Sequence, residues 1–288
     1  GIGCRFSDRH TGDLKVYRGE RKFIHVDIEP TQVGRVFTPD LGIVADAKLA
    51  LKALLQRAKE RGLRREPTAL TRRIPEDRPS LARKTDYADY PIKAPRVYEE
   101  LNKFFDDKTL FYTGCGLAQI WSGQLQEVDV PRRYLPSGGA GTLGYEVPAA
   151  IGGKVARPEL KSVAVVGDGG FMFMSEELAM AAHYNIPVIV VIVNNGYLSL
   201  IRQNQKYAYD YEYAVKLWYD DSGQKMTDFV KFAEAMGCKG ERVDRAEDIG
   251  GALKRAVVAE CPYLIDIIVE RDTDCSMGGS IAAVREFD

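Results

Sequence analysis

No apolar run in the chain approaches the roughly 20 residues that a membrane-spanning helix requires, so no segment reads as a bilayer anchor. An excess of charge of either sign is also missing: 40 basic residues stand against 41 acidic ones. Without a basic excess there is no electrostatic footprint for nucleic acid. Cysteine is sparse, and Cys4, Cys115, Cys238, Cys261 and Cys275 form no CxxC pair. A disulfide framework and a zinc motif are therefore excluded, and the thiols read as reduced and cytoplasmic. The three histidines, His10, His25 and His183, share no metal-site spacing. There is also no initiator methionine and no signal peptide in view. The opening residues Gly1 to Phe6 read as a glycine turn with no strand before it, so a piece of a larger protein is expected.

Between these absences, an apolar share of 45% and a charged share of 28% are ordinary for a water-exposed globular protein of two domains. The most informative stretch is Gly167-Asp168-Gly169-Gly170, followed by an amphipathic segment, an apolar run from Ile186 to Val193, and Asn194-Asn195. It reads as strand, glycine turn, helix and strand, with an oxygen ligand at the end of each strand. Open parallel sheets bind ligands at that edge. A carboxylate with an amide oxygen is a hard, all-oxygen set that suits Mg²⁺ sharing its shell with phosphate oxygens and water. Glycines after a strand expose backbone N–H groups to such a phosphate. Either half alone is a common turn or strand cap; the two together at two strand ends form a specific signal.

Strands alternate with helices through the rest of the chain, which implies an α/β fold with a doubly wound parallel sheet. Residues 21–28 read as a buried strand ending near Asp27, and 45–55 as an amphipathic helix with Asp46 at its N-cap. Residues 57–94 are charged and proline-bearing and read as a partly helical surface linker. From there a helix is expected over 95–105, strands over 109–113, 162–166, 188–193, 239–243 and 263–269, a further strand and glycine turn within 134–144, and helices from 119, over 147–152, 227–236 and 247–259. Three of these strands end in glycine turns, at Gly114, Gly138 and Gly167. Parallel strands align their C-terminal ends, so these turns and Asn195 are expected to ring one crevice.

With those residues in view, the chain resembles the thiamine-diphosphate enzymes of the acetohydroxyacid synthase group. Their motif is GDG followed by a double Asn. The stretches 3–12, 25–35 and 40–46 resemble the FAD-type central domain of that group. Within it, Arg9 to Gly12, Asn194 to Gln203 and Val269 to Gly278 are most similar to glyoxylate carboligases. The resemblance implies three regions: part of a Rossmann-like central domain over 1–56, the linker over 57–94, and a diphosphate-binding domain over 95–288.

For individual residues the resemblance implies the following. Asp168, the Asn195 side chain and the Tyr197 carbonyl would hold Mg²⁺. Gly169, Gly170 and the backbone of Gly116, Leu117 and Ala118 would hold the diphosphate. The Gly141 carbonyl would accept a bond from the cofactor's 4′-amino group, and Leu143 would prop its bend. Leu198, Leu200 and Ile201 would line a dry pocket favouring loss of CO₂, although ordinary core packing explains such side chains as well. Arg5, Asp8, Arg9, Asp27, Ile28 and Asp46 would lie along a structural FAD, with Arg9 also placed to hold the carboxylate of a second substrate. A lyase condensing two small 2-oxo acids follows: two glyoxylate to tartronate semialdehyde. Pyruvate condensation and a non-catalytic cofactor-binding fragment stand as alternatives.

Two departures qualify the pattern. The pyrimidine-binding domain, which carries a cofactor-activating glutamate in most such enzymes and an apolar residue in glyoxylate carboligases, is missing. Cys115 stands where a larger aliphatic residue is expected. Thiamine-diphosphate sites form between chains, so a homodimer or homotetramer is expected.

Overall fold

The computed structural model describes residues 1–217, 226–272, 274 and 275; for Asp8 and Arg9 it describes the backbone alone. The chain divides into two compact units, one over Gly1–Ala82 and one over Arg83–Ser276.

The first unit contains α1 (Asp8–Thr11), α2 (Leu14–Arg18), β1 (Ile24–Asp27), β2 (Leu41–Val44), α3 (Ala47–Glu60) and α4 (Ala69–Asp77). β1 and β2 pair in parallel with Asp27 opposite Val44. Gly1 to Gly3 run along the other edge of β1, bonding Ile24 and Val26 through the backbone. The opening residues therefore pair as a short strand edge where the sequence reads as a turn. α3 starts where Asp46 accepts the Leu49 N–H at 3.0 Å, satisfying a first-turn donor that has no helical partner. Phe6 is buried here, with the rings of Phe23, Phe37, Tyr17 and His25 packed around it.

The second unit is built on β3 (Thr109–Thr113), β4 (Tyr134–Pro136), β5 (Lys161–Gly167), β6 (Ile189–Asn194), β7 (Lys239–Val243) and β8 (Tyr263–Ile268). All pair in parallel in the order β4-β3-β5-β6-β8-β7. β3, β5 and β6 sit inside the sheet and are buried almost throughout, which explains the valine and isoleucine runs of β5 and β6 and the Leu-Phe-Tyr run of β3. β4 takes an edge, where Pro136 removes no ladder bond the sheet needs. Helices α5 (Ala94–Phe104), α6 (Leu117–Leu125), α7 (Glu146–Ala156), α8 (Asp168–Phe171), α9 (Glu177–His183), α10 (Ser199–Asn204), α11 (Phe229–Ala235) and α12 (Ile249–Val258) connect the strands.

Alternate residues of the strands face opposite layers. Tyr112, Ala164, Val166, Val190, Ile192 and Leu264 form one core with Val147, Ile151, Phe171, Leu178 and Phe229. Strand order sets the position of the site. From β3 the chain moves outward to β4, then returns past β3 to β5 and continues to β6. The connections leaving β3 and β5 diverge, which opens a crevice between their C-terminal ends.

Candidate functional site

The turns after β3 and β5 flank that crevice, and the end of β6 lies next to β5 with Val193 in register with Gly167. Asp168 begins α8 at the tip of β5 and is 3% exposed. Its Oδ1 accepts the Gly169 N–H at 2.9 Å and its Oδ2 the Gly196 N–H at 2.6 Å. The second bond ties the β5 tip to the β6 tip, so the residues on either side of the Asp168–Asn195 motif meet in space. No cationic side chain pairs with Asp168 among the described residues. Burial pushes its carboxyl up to about 7, while the two amides and its own backbone pull downward and Asp266 adds a further upward push. A buried carboxylate without a counter-charge is a natural seat for a cation.

Asn195 is also buried. Its Oδ1 accepts Ser199 Oγ at 2.8 Å and the Tyr197 N–H at 3.3 Å. The Tyr197 carbonyl lies 3.1 Å from the same Ser199 hydroxyl, so both oxygens converge on one point. The hydroxyl has one proton and can serve only one of them at a time. Among the described residues no three His, Cys, Asp or Glu side chains gather as a metal cluster. One carboxylate, one amide and one carbonyl fit Mg²⁺ whose remaining positions are filled by phosphate and water.

Gly169 permits a close approach in this corner: a Cβ there would lie 2.6 Å from Leu198 Cδ2. The loop from Gly196 to Leu198 is held by Leu217 N–H to Gly196 at 2.9 Å and by Leu198 N–H to Val215 at 2.8 Å. Arg202 is buried, bonds Glu212 Oε1 at 2.8 Å and the Arg271 carbonyl at 3.1 Å, and pairs with Asp272. Its guanidinium lies 4.5 Å from the Tyr197 ring centre. This network fixes the loop that carries two of the three candidate metal ligands.

On the β3 side, Gly116 caps α6 at φ 124° and, lacking a side chain, makes no side-chain cap to the first-turn amides of α6. Leu117 and Ala118 are buried behind it, and the Tyr98 hydroxyl donates to the Ala118 carbonyl at 2.7 Å. Gly141 adopts φ 65°, a left-handed backbone that favours glycine, in the 138–142 turn. Leu143, Leu198 and Leu200 are half-buried, while Ile201 is exposed.

Glu146 is a residue the sequence reading missed. It is 1% exposed, and neither carboxylate oxygen has a hydrogen-bond partner among the described residues. An acid in a helix's first turn resembles a dipole partner, so the sequence carries no warning of its burial.

In the first unit, Asp27 ends β1 and its Oδ1 accepts the Glu29 N–H at 2.9 Å. Asp46 caps α3, while Arg5 and Ile28 are exposed. Asp8 and Arg9 lie in α1, and their side chains fall outside the description. The Val269–Gly278 stretch falls partly outside it as well. Among the described residues no helix is long and apolar enough to cross a membrane.

Residues 114–267 match the thiamine pyrophosphate enzyme C-terminal TPP binding domain, which spans the crevice just described. The chain belongs to the thiamine pyrophosphate enzyme family. Residues 1–54 match the central domain of the same family. Across its whole length the family member is 43% identical to a glyoxylate carboligase of Escherichia coli O157:H7, covering 50% of that protein. Over 96% of its length it is 36% identical to a probable acetolactate synthase large subunit of Methanococcus aeolicus, covering 47% of that protein. It is 35% identical to the acetolactate synthase large subunit of Corynebacterium glutamicum over 94% of its length and 44% of the relative's. The chain thus spans about half the length of the curated relatives it matches.

Proposed function

We propose that this chain is the diphosphate-binding half of a thiamine-diphosphate- and Mg²⁺-dependent carboligase that joins two glyoxylate molecules to tartronate semialdehyde with loss of CO₂. The observation that carries the reading is the buried Asp168 carboxylate, which pairs with no cationic side chain among the described residues and is bonded to Gly196 beside Asn195. Asp168, Asn195 Oδ1 and the Tyr197 carbonyl would hold Mg²⁺. Gly169, Gly170 and the backbone from Gly116 to Ala118 would hold the diphosphate, and the Gly141 carbonyl the cofactor's amino group.

When bound, thiamine diphosphate supplies a carbon nucleophile for a 2-oxo acid. Leu143 would supply the bulk that keeps the cofactor folded, which is a proximity effect. Leu198, with Leu200, would exclude water around a carboxylate that loses its charge as CO₂ departs, whereas Ile201, exposed on this chain, would do so only once covered by the rest of the protein. Arg9 would hold the second substrate's carboxylate through two parallel N–H bonds, fixing the aldehyde carbon. In the first unit, Arg5, Asp8, Arg9, Asp27, Ile28 and Asp46 would lie along an FAD kept for structure; Asp27 at the tip of a parallel strand supports this. A pyrimidine-binding domain in the other half of the protein, and a homodimer or homotetramer, complete the reading.

Identity to a glyoxylate carboligase supports glyoxylate as donor. The acetolactate synthases at 35–36% identity support the second reading, with pyruvate as donor. Full-length protein supplied with each acid alone separates them. Tartronate semialdehyde from glyoxylate supports the first, and acetolactate from pyruvate with no glyoxylate turnover overturns it.

A further inference from the structure

Glu146 has no task in the proposed reaction. Its carboxyl is wedged between the turn after β3 and helix α8, at the diverging strands that open the crevice. A Cβ on Gly114 would lie 2.8 Å from Glu146 Oε2 and overlap Oε1, and one on Gly170 would lie 3.6 Å from Oε1. The missing side chains at these two glycines leave the space that the carboxyl fills. Both oxygens are sealed from solvent without a partner among the described residues. A carboxylate in that position either takes a proton or waits for a donor. The elements around it carry Tyr112 on β3, Cys115 in the adjoining turn, Lys161 on β5, Asp168 on α8, and Glu177 and His183 on α9, with Tyr145 and Lys154 on either side of it along α7. None forms an ion pair or hydrogen bond with Glu146 among the described residues.

We propose that Glu146 faces the ligand in the diphosphate cradle and, in its neutral form, donates its O–H to a phosphate oxygen. The inference rests on reading the cradle as the diphosphate site. An ionised Glu146 would repel the diphosphate across a dry gap, whereas the neutral acid offers one donor to a strong acceptor. Burial pushes this carboxyl up to about 7, against a smaller pull from nearby amides of Gly114 and Gly144 that close no hydrogen bond with it. Cofactor loading above that pH therefore takes a proton from solution.

The test is calorimetric titration of thiamine diphosphate into the full-length protein with saturating Mg²⁺, in buffers of differing ionisation enthalpy, across neutral pH. The wild type is expected to lose affinity as pH rises, approaching about tenfold per pH unit above the titration, with matching proton uptake. Glu146→Gln keeps the shape and a donor but cannot ionise. It is expected to bind within a few-fold of wild type at low pH and to lose that part of the slope and uptake. Titration of the ligand's own phosphate is common to both proteins, so the difference belongs to Glu146. Glu146→Leu is expected to bind about tenfold more weakly or worse at every pH, with circular dichroism confirming its fold. Wild-type uptake in the Gln variant, or wild-type affinity in the Leu variant, overturns the proposal. An Asp168→Ala control separates the two levels. If it still binds with Mg²⁺ dependence, the cradle reading fails; if it does not, while both Glu146 variants behave as wild type, only the role of Glu146 fails.

Discussion

Two buried carboxyls, Asp168 and Glu146, each pushed up to about 7, set how the site responds to pH. Their folded values lie above the ordinary carboxylate range. Their contribution to stability is therefore fully present below that range and is lost as pH rises through about 7. For Glu146 the rise from 4.5 to about 7 corresponds to about 3 kcal/mol. Chemical denaturation of the metal-free protein at about pH 5 and about pH 8 is predicted to show lower stability at the higher pH. Glu146→Gln should remove about that amount of the difference; an unchanged difference contradicts the assignment. Arg9 carries a separate prediction. Arg9→Lys keeps the charge and loses the two-pronged bond, so the acceptor is captured less often after CO₂ has left. The ratio of CO₂ to tartronate semialdehyde should rise, with formaldehyde making up the balance. An unchanged ratio makes Arg9 structural.

At the scale of elements, strands were legible and short helices were not. β3, β5 and β6 are buried on both faces, so their apolar runs stand out, and Thr109–Thr113 falls where the sequence places it. α8 is a single turn reading Asp-Gly-Gly-Phe, whose glycines signal a turn by composition. α10 follows the double Asn and leads into a π-helical stretch over Gln205–Tyr209, which no simple period announces. The Asp168–Asn195 pair was legible because both residues sit at strand tips. The position of Glu146 depends on β3 and β5 being neighbours, a fact of sheet order that local sequence does not encode. Across β6, β7 and β8, Asp266 is fully buried, bonding Asn194 Nδ2 at 2.8 Å and Arg242 Nε at 3.0 Å. Removing one member of such a network strands the others. Asp266→Ala is predicted to destabilise the fold by about 2–4 kcal/mol, and Asp266→Asn by less, as measured by denaturant midpoint. Equal effects from the two variants would contradict this, showing that the charge of Asp266 carries the whole contribution and its shape and acceptor geometry none.

For the whole molecule, about half the relatives' length lies beyond this chain, and a cofactor with two ends needs walls at both. Residues 1–288 alone are predicted to form no tartronate semialdehyde, because water reaches the pocket meant to stay dry; turnover by the isolated chain contradicts this. The central claim is that Asp168 and Asn195 seat a Mg²⁺-bound diphosphate. Its most direct test is calorimetry of thiamine diphosphate on the full-length protein, with and without Mg²⁺, for wild type and Asp168→Ala. Mg²⁺-dependent binding is predicted for the wild type and its loss in the variant, since Asp168 is the charged member of the proposed ligand set. Wild-type affinity in Asp168→Ala, with its Mg²⁺ dependence intact, would contradict it.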